Sequence, residues 1–182
     1  VKPLPGNDVD KQVVFIHVPH LNENQYYTIK ELNNMEGGKK MYYFNSRIQD
    51  MKKAMVQQLL ENKPVWFGCD FDKFRHRGEE LLDNKISSYQ TFHFQKNELF
   101  LQKTNSIPYY QTNVNHAMLL TGYYYKASQK NTPLYWIIEN SHSSTMKKIS
   151  FEDNHGHMIM SDSWFDSYVI MAAVDKVHVK KE

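Results

Sequence analysis

Asn115-His116-Ala117-Met118 and, one hairpin later, Glu139-Asn140-Ser141 decide how this chain is read. His116 opens a strand-like run, His116–Tyr125, and Asn140 closes the next one, Leu134–Asn140. The segment between them, Lys126 to Pro133, carries the Ser, Asn and Pro of a hairpin loop. A histidine at the start of one strand and an asparagine at the end of its hairpin partner share one sheet edge. The side chains are therefore expected within hydrogen-bond reach. Two further runs, His157–Ser161 and Tyr168–Val174, read as strands by their alternating apolar residues.

An imidazole held by a side-chain amide has a specific use. It can take the proton of a thiol, and the resulting imidazolium and thiolate stabilise each other. The amide carbonyl accepts from the other ring nitrogen and sets the tautomer and orientation of the ring. His116 and Asn140 are the candidate catalytic residues on this ground, set against the plainer reading of both as turn and surface residues at strand ends. Cys69 is the sole cysteine. It falls in an apolar strand, Val65-Trp66-Phe67-Gly68-Cys69-Asp70-Phe71, beside an acidic residue that disfavours a thiolate. Cys69 is read as a core residue and not as the nucleophile.

Outward from this hairpin the chain is uneven. Lys11 to Val18 is strand-like, and Glu36-Gly37-Gly38-Lys39 is a turn. Ile48, Met51, Met55 and Leu59 recur at helical spacing, which predicts one amphipathic helix of about four turns ended by Lys63-Pro64. Ser46 and Gln49 are placed for a capping box at its start. Phe74 to Tyr110 carries only a weak helix around Glu79–Leu82 and a weak strand around Tyr89–Phe94. The fold class is α+β, with one main helix followed by an antiparallel, barrel-like half.

Composition excludes several classes. At 182 residues, 41% hydrophobic and 23% charged, the chain is a folding globular sequence. A net charge of +2 argues against nucleic acid as the main partner, and Lys176 to Lys181 reads as a solvated basic tail. No apolar run spans a bilayer, no signal-peptide pattern opens the chain, and the sequons of secreted glycoproteins are absent from the sequence, so a cytoplasmic location is expected. The first residue is Val1, which points to a piece of something longer. His142, His155 and His157 with Asp153 offer a His-x-His face but no fourth ligand at ordinary spacing, so no metal site and no cofactor are assigned, and His17-Val18-Pro19-His20 is weaker still. The twelve tyrosines, nine of them clustered at Tyr26-Tyr27, Tyr42-Tyr43, Tyr109-Tyr110 and Tyr123 to Tyr125, are expected to line a core or an oligomer interface, although stacking on nucleic-acid bases is open to them.

Val65 to Asp70, His116 to Met118, Glu139 to Ser141 and Met160 to Phe165, in this order, resemble the C-terminal part of the bleomycin hydrolase and aminopeptidase C family of papain-like cysteine peptidases. Val1 to Leu4, Tyr27 to Lys40, Met51 to Met55, Asp153 to His157, Tyr168-Val169 and Val174 to Val179 also look like segments of that half. Residues 1–182 are then one piece of a papain-like peptidase domain. The resemblance implies the papain-like fold, a peptide substrate, removal of amino-terminal residues, and a homohexameric barrel. Some members of the family bind nucleic acid.

By the same resemblance, His116 matches the catalytic histidine and Asn140 the catalytic asparagine, whereas the family cysteine at the position of Cys69 is not the nucleophile. The nucleophile would lie in a cysteine-bearing N-terminal half, in the same precursor or on a separate chain, so this chain alone is expected to be inactive. Two departures stand out. His142-Ser143 and a polar segment to Phe151 occupy the place of the family's Trp-Gly, and the chain stops at Glu182, near where the family's C-terminal arm begins. They favour a rival reading, a catalytically inactive homologue kept as an assembly or binding module.

Overall fold

The computed structural model describes residues 11–30, 41–76, 80–85, 103–140 and 157–179. Within them the strands form one ten-stranded sheet in the order β2-β3-β1-β10-β4-β7-β8-β9-β6-β5. In chain order these are β1 Gln12–Ile16, β2 Gln25–Tyr27, β3 Tyr43–Asn45, β4 Val65–Cys69, β5 Arg75–His76, β6 Leu81–Leu82, β7 His116–Tyr125, β8 Pro133–Glu139, β9 His157–Ser161 and β10 Val169–Asp175. The helices are α1 Ile48–Leu60, α2 Lys103–Ser106 and α3 Asp162–Tyr168.

The spine β1-β10-β4-β7-β8-β9 is antiparallel throughout. Two pairings, β1 with β3 and β6 with β9, are parallel. The expected antiparallel barrel is therefore corrected to an open, mixed sheet. The first and last strands of the order, β2 and β5, each pair with one neighbour only among the described residues.

One face of the spine carries Val13, Phe15, Val65, Phe67, Cys69, Met118, Leu120, Trp136, Ile138, Met158, Met160, Ala172 and Val174, all buried. This is the period-2 pattern of a half-covered sheet. Met51, Ala54 and Met55 of α1 and Trp164, Phe165 and Tyr168 of α3 close over it. Each large apolar side chain removed from water there contributes about 1.5–3 kcal/mol. On the opposite face Trp66, Leu119 and Tyr135 remain exposed.

Helix α1 runs where the apolar spacing put it, but its start differs. Arg47 is the N-cap and supplies no side-chain cap, while the Ser46 hydroxyl donates to the Arg47 carbonyl, so the capping box does not form. Arg47 instead pairs with Asp50 at 2.7 Å on the first turn. The expected helix at Glu79–Leu82 is, in its described part, the short strand β6, paired to both β5 and β9. The expected strand from Tyr168 begins one residue later, and helix α3 precedes it, capped by the Ser161 hydroxyl accepting from the Trp164 amide at 3.2 Å.

Tyr168 lies in the core and Tyr123 packs against it, but most of the clustered tyrosines do not line it. Tyr26, Tyr42, Tyr109, Tyr110, Tyr124 and Tyr125 are exposed. The turn at Glu36–Lys39, the strand at Tyr89–Phe94, the tail beyond Val179 and the segment from Ser141 to Gly156 lie outside the described residues. Among the described residues no helix is long and apolar enough to cross a membrane.

Candidate active site

Because β4, β7 and β8 are antiparallel neighbours, the C-terminal end of β4, the start of β7 and the end of β8 meet at one edge of the sheet. Cys69 is in register with His116, and Leu119 with Glu139, the residue before Asn140. His116 Nε2 lies 2.9 Å from Asn140 Oδ1. The asparagine carbonyl can only accept, so Nε2–H donates in this pairing and the ring proton is held on the nitrogen facing Asn140. Asn140 is buried, and its Nδ2 lies 3.8 Å from Met158 Sδ. A hydrogen bond between such neutral groups is worth about 0.5–1.5 kcal/mol net, and away from water it also fixes orientation.

The histidine is held in place through the turn after β4. Asn115 Oδ1 accepts from the Phe71 amide at 2.8 Å, Asn115 Nδ2 donates to Asp70 Oδ1 at 2.8 Å, and the Asn115 amide donates to the Cys69 carbonyl at 3.1 Å. These bonds clamp the turn after β4 onto the start of β7. Phe71 is thereby laid against the His116 ring, with centroids 4.5 Å apart and planes at 31°. The Arg75 guanidinium sits 4.4 Å from the centre of the Phe71 ring and is paired with the buried Glu80 at 3.5 Å. Neither Phe71 nor Asn115 was singled out from sequence. The asparagine directly before the strand histidine was the available signal, since short amides before strands clamp turns.

Cys69 lies in the core as expected and is fully buried. Burial, and then the charge of Asp70, push its thiol well above the ordinary range, so a thiolate there is disfavoured. On the open face beside Asn140 runs a groove of about 290 Å³, lined by Trp66, Ala117, Met118, Leu119, Glu139 and Asn140. Trp66 is the one tryptophan on that face, while Trp136 and Trp164 are fully buried. Of the histidines weighed for metal, His142 and His155, with Asp153, lie outside the described residues, and His157 opens β9. His17 Nδ1 lies 2.9 Å from the Ser46 carbonyl oxygen, a structural role.

The Peptidase C1-like family profile matches residues 3–182, nearly the whole chain. The chain belongs to the peptidase C1-like family. It is 30% identical over 187 aligned residues to bleomycin hydrolase of Mus musculus, with 100% of this chain and 38% of that protein covered. It is 28% identical to aminopeptidase C of Lactobacillus delbrueckii subsp. lactis, again over 100% of this chain and 38% of that protein. The crystal structure of PepW from Lactobacillus rhamnosis HN001 superposes with a TM-score of 0.84 at 26% identity, covering 96% of this chain and 37% of PepW. The chain thus spans 38% of the length of these peptidase C1-like relatives.

Proposed function

We propose that this chain is the histidine- and asparagine-bearing part of a cysteine-type aminopeptidase. The observation that carries the reading is the 2.9 Å contact between His116 Nε2 and Asn140 Oδ1 at the rim of the sheet. With Nε2–H donating to Asn140, Nδ1 is the nitrogen that takes the proton of a cysteine thiol. The thiolate attacks the peptide carbonyl, and the imidazolium then protonates the leaving amine. Water attacks the acyl enzyme with His116 again as base. Asn140 holds the ring through both steps and exchanges no proton.

The thiol comes from the rest of a longer polypeptide or from a separate chain, because Cys69 is fully buried and its ionisation is suppressed. The uncovered apolar strip around Trp66 and Leu119 supports contact with further protein. A peptide substrate and a homo-oligomer, a hexamer in the first instance, complete the proposal. The second reading, an inactive assembly module, is favoured by His142-Ser143 directly after the Glu139-Asn140-Ser141 motif.

Hydrolysis of an aminoacyl fluorogenic amide, measured with the chain alone and with the cysteine-bearing half supplied, separates the readings. Activity only in the second arm, abolished by His116→Ala, is expected. Hydrolysis by the chain alone, or activity indifferent to His116, overturns the proposal, and a folded but inactive assembly favours the module.

A further inference from the structure

Far from the His116 edge, the end of α1 meets the end of β10. Gln58 builds the junction: its Oε1 accepts from the Asp175 amide at 2.8 Å and its Nε2 donates to the Pro64 carbonyl at 2.9 Å. Glu61 follows α1, Asp175 closes β10, and His178 lies in the 3₁₀ turn Lys176–His178. One donor atom from each of Glu61, Asp175 and His178 lies within 4.8 Å of the others. Lys176 and Val177 are exposed, as a solvated tail would be, but the His178 side chain is only 7% exposed.

The two carboxylates already hold a cation. Lys63 Nζ lies 2.9 Å from Glu61 and 2.9 Å from Asp175, and that lysine is half exposed. The imidazole borders that arrangement, within ion-pair distance of Glu61. His178 Nε2 is buried and has no hydrogen-bond partner, yet it points at Glu61 Oε1 from 3.5 Å. Two carboxylates and one ammonium leave the cluster with one uncompensated negative charge. A second positive centre between Nε2 and the carboxylates would supply both the missing charge and the missing partner.

We propose that Glu61, Asp175 and His178 form a binding site for a divalent transition-metal ion, Zn²⁺ in the first instance, with Lys63 as its built-in competitor. One imidazole and two carboxylates are a donor set that Zn²⁺ accepts, at about 2.0–2.2 Å from each ligand atom, with water in the remaining position. The ligand atoms must draw together by about 1 Å to reach those distances. The Glu61 side chain, 45% exposed, has the freedom to do so. On binding, the Lys63 ammonium leaves the carboxylates for solvent. The ion then ties the end of α1 to the chain as it leaves the sheet, and stabilises the fold by an amount that grows with the logarithm of free ion concentration above its dissociation constant.

The test is calorimetric titration of the purified protein with Zn²⁺ near neutral pH, for the wild type, His178→Gln and Lys63→Met. One tight equivalent is expected in the wild type. His178→Gln should weaken it by about 10–100-fold, a loss typical of damage to a metal's ligand environment. Lys63→Met should tighten it, because the competing ammonium is gone, and should raise the thermal midpoint only when zinc is present. Absence of binding in both the wild type and Lys63→Met overturns the site. So does binding with the same affinity and stoichiometry in His178→Gln, which would place the ion on other histidines.

Discussion

Replacing Lys103 with methionine should change how stability depends on pH. The Lys103 side chain is buried, and its ammonium donates to the Val169 carbonyl. Burial is the main cause that lowers its pKa from 10.5 to about 7; nearby Asp166 opposes the shift and Lys52 adds to it. In the unfolded chain the amine is charged up to about pH 10.5, whereas in the folded protein it is charged only below about pH 7. Between those values unfolding takes up a proton, so stability rises with pH through this window. Below about pH 7 both states are charged and the destabilisation is complete, on the order of 4–5 kcal/mol. From about pH 7 to about pH 9 the relief amounts to roughly 2 kcal/mol.

Methionine keeps the length of the side chain and removes the charge. Cys69 works in the opposite direction, because its folded pKa is raised and the unfolded thiol ionises first, lowering stability as pH climbs past its ordinary value of 9.0. That contribution is common to both proteins and cancels in their difference. Urea unfolding of the wild type and Lys103→Met at about pH 7, 8 and 9 should show the variant's advantage shrinking by about 2 kcal/mol as pH rises. A difference that stays constant across that window would refute the buried-amine reasoning.

Two other outcomes follow from the core. Cys69 should resist alkylation in the folded protein and react promptly once denatured, because burial and Asp70 both suppress its thiolate; rapid native labelling would contradict its placement. Trp136 Nε1 donates to Asp162 Oδ1 at 3.0 Å and its ring stacks on Phe165 at 4.9 Å. Trp136→Phe removes a charged hydrogen bond and part of a buried ring, and should cost about 2–3 kcal/mol in urea unfolding, with a loss under about 0.5 kcal/mol arguing against that packing.

What the sequence revealed depended on how local the cause was. Strands His116–Tyr125 and His157–Ser161 have the expected bounds, because one face of each alternates with the other. Helix α1 was legible from Ile48, Met51, Met55 and Leu59. Helix α3 was not, since Asp162 to Tyr168 is too short for a period to emerge and three of its residues are buried.

The order of strands was illegible for a different reason. Placing β10 between β1 and β4 is decided by long-range burial, which no local pattern encodes. The partners of the candidate site divide along the same line. His116 and Asn140 stood out because they end hairpin strands. Phe71 packs on the histidine and is itself held by Asn115 and Arg75, and only coordinates bring these residues together.

The central claim is that Asn140 holds the proton of His116 on Nε2, leaving proton exchange with a thiol to Nδ1. Long-range ¹⁵N–¹H correlation spectra of the histidine-labelled protein, recorded at mildly alkaline pH, read that tautomer directly. The Nε2–H form is expected in the wild type, moving toward a mixture of tautomers in Asn140→Ala. A His116 resting as the Nδ1–H tautomer, or one indifferent to the loss of Asn140, would contradict the account.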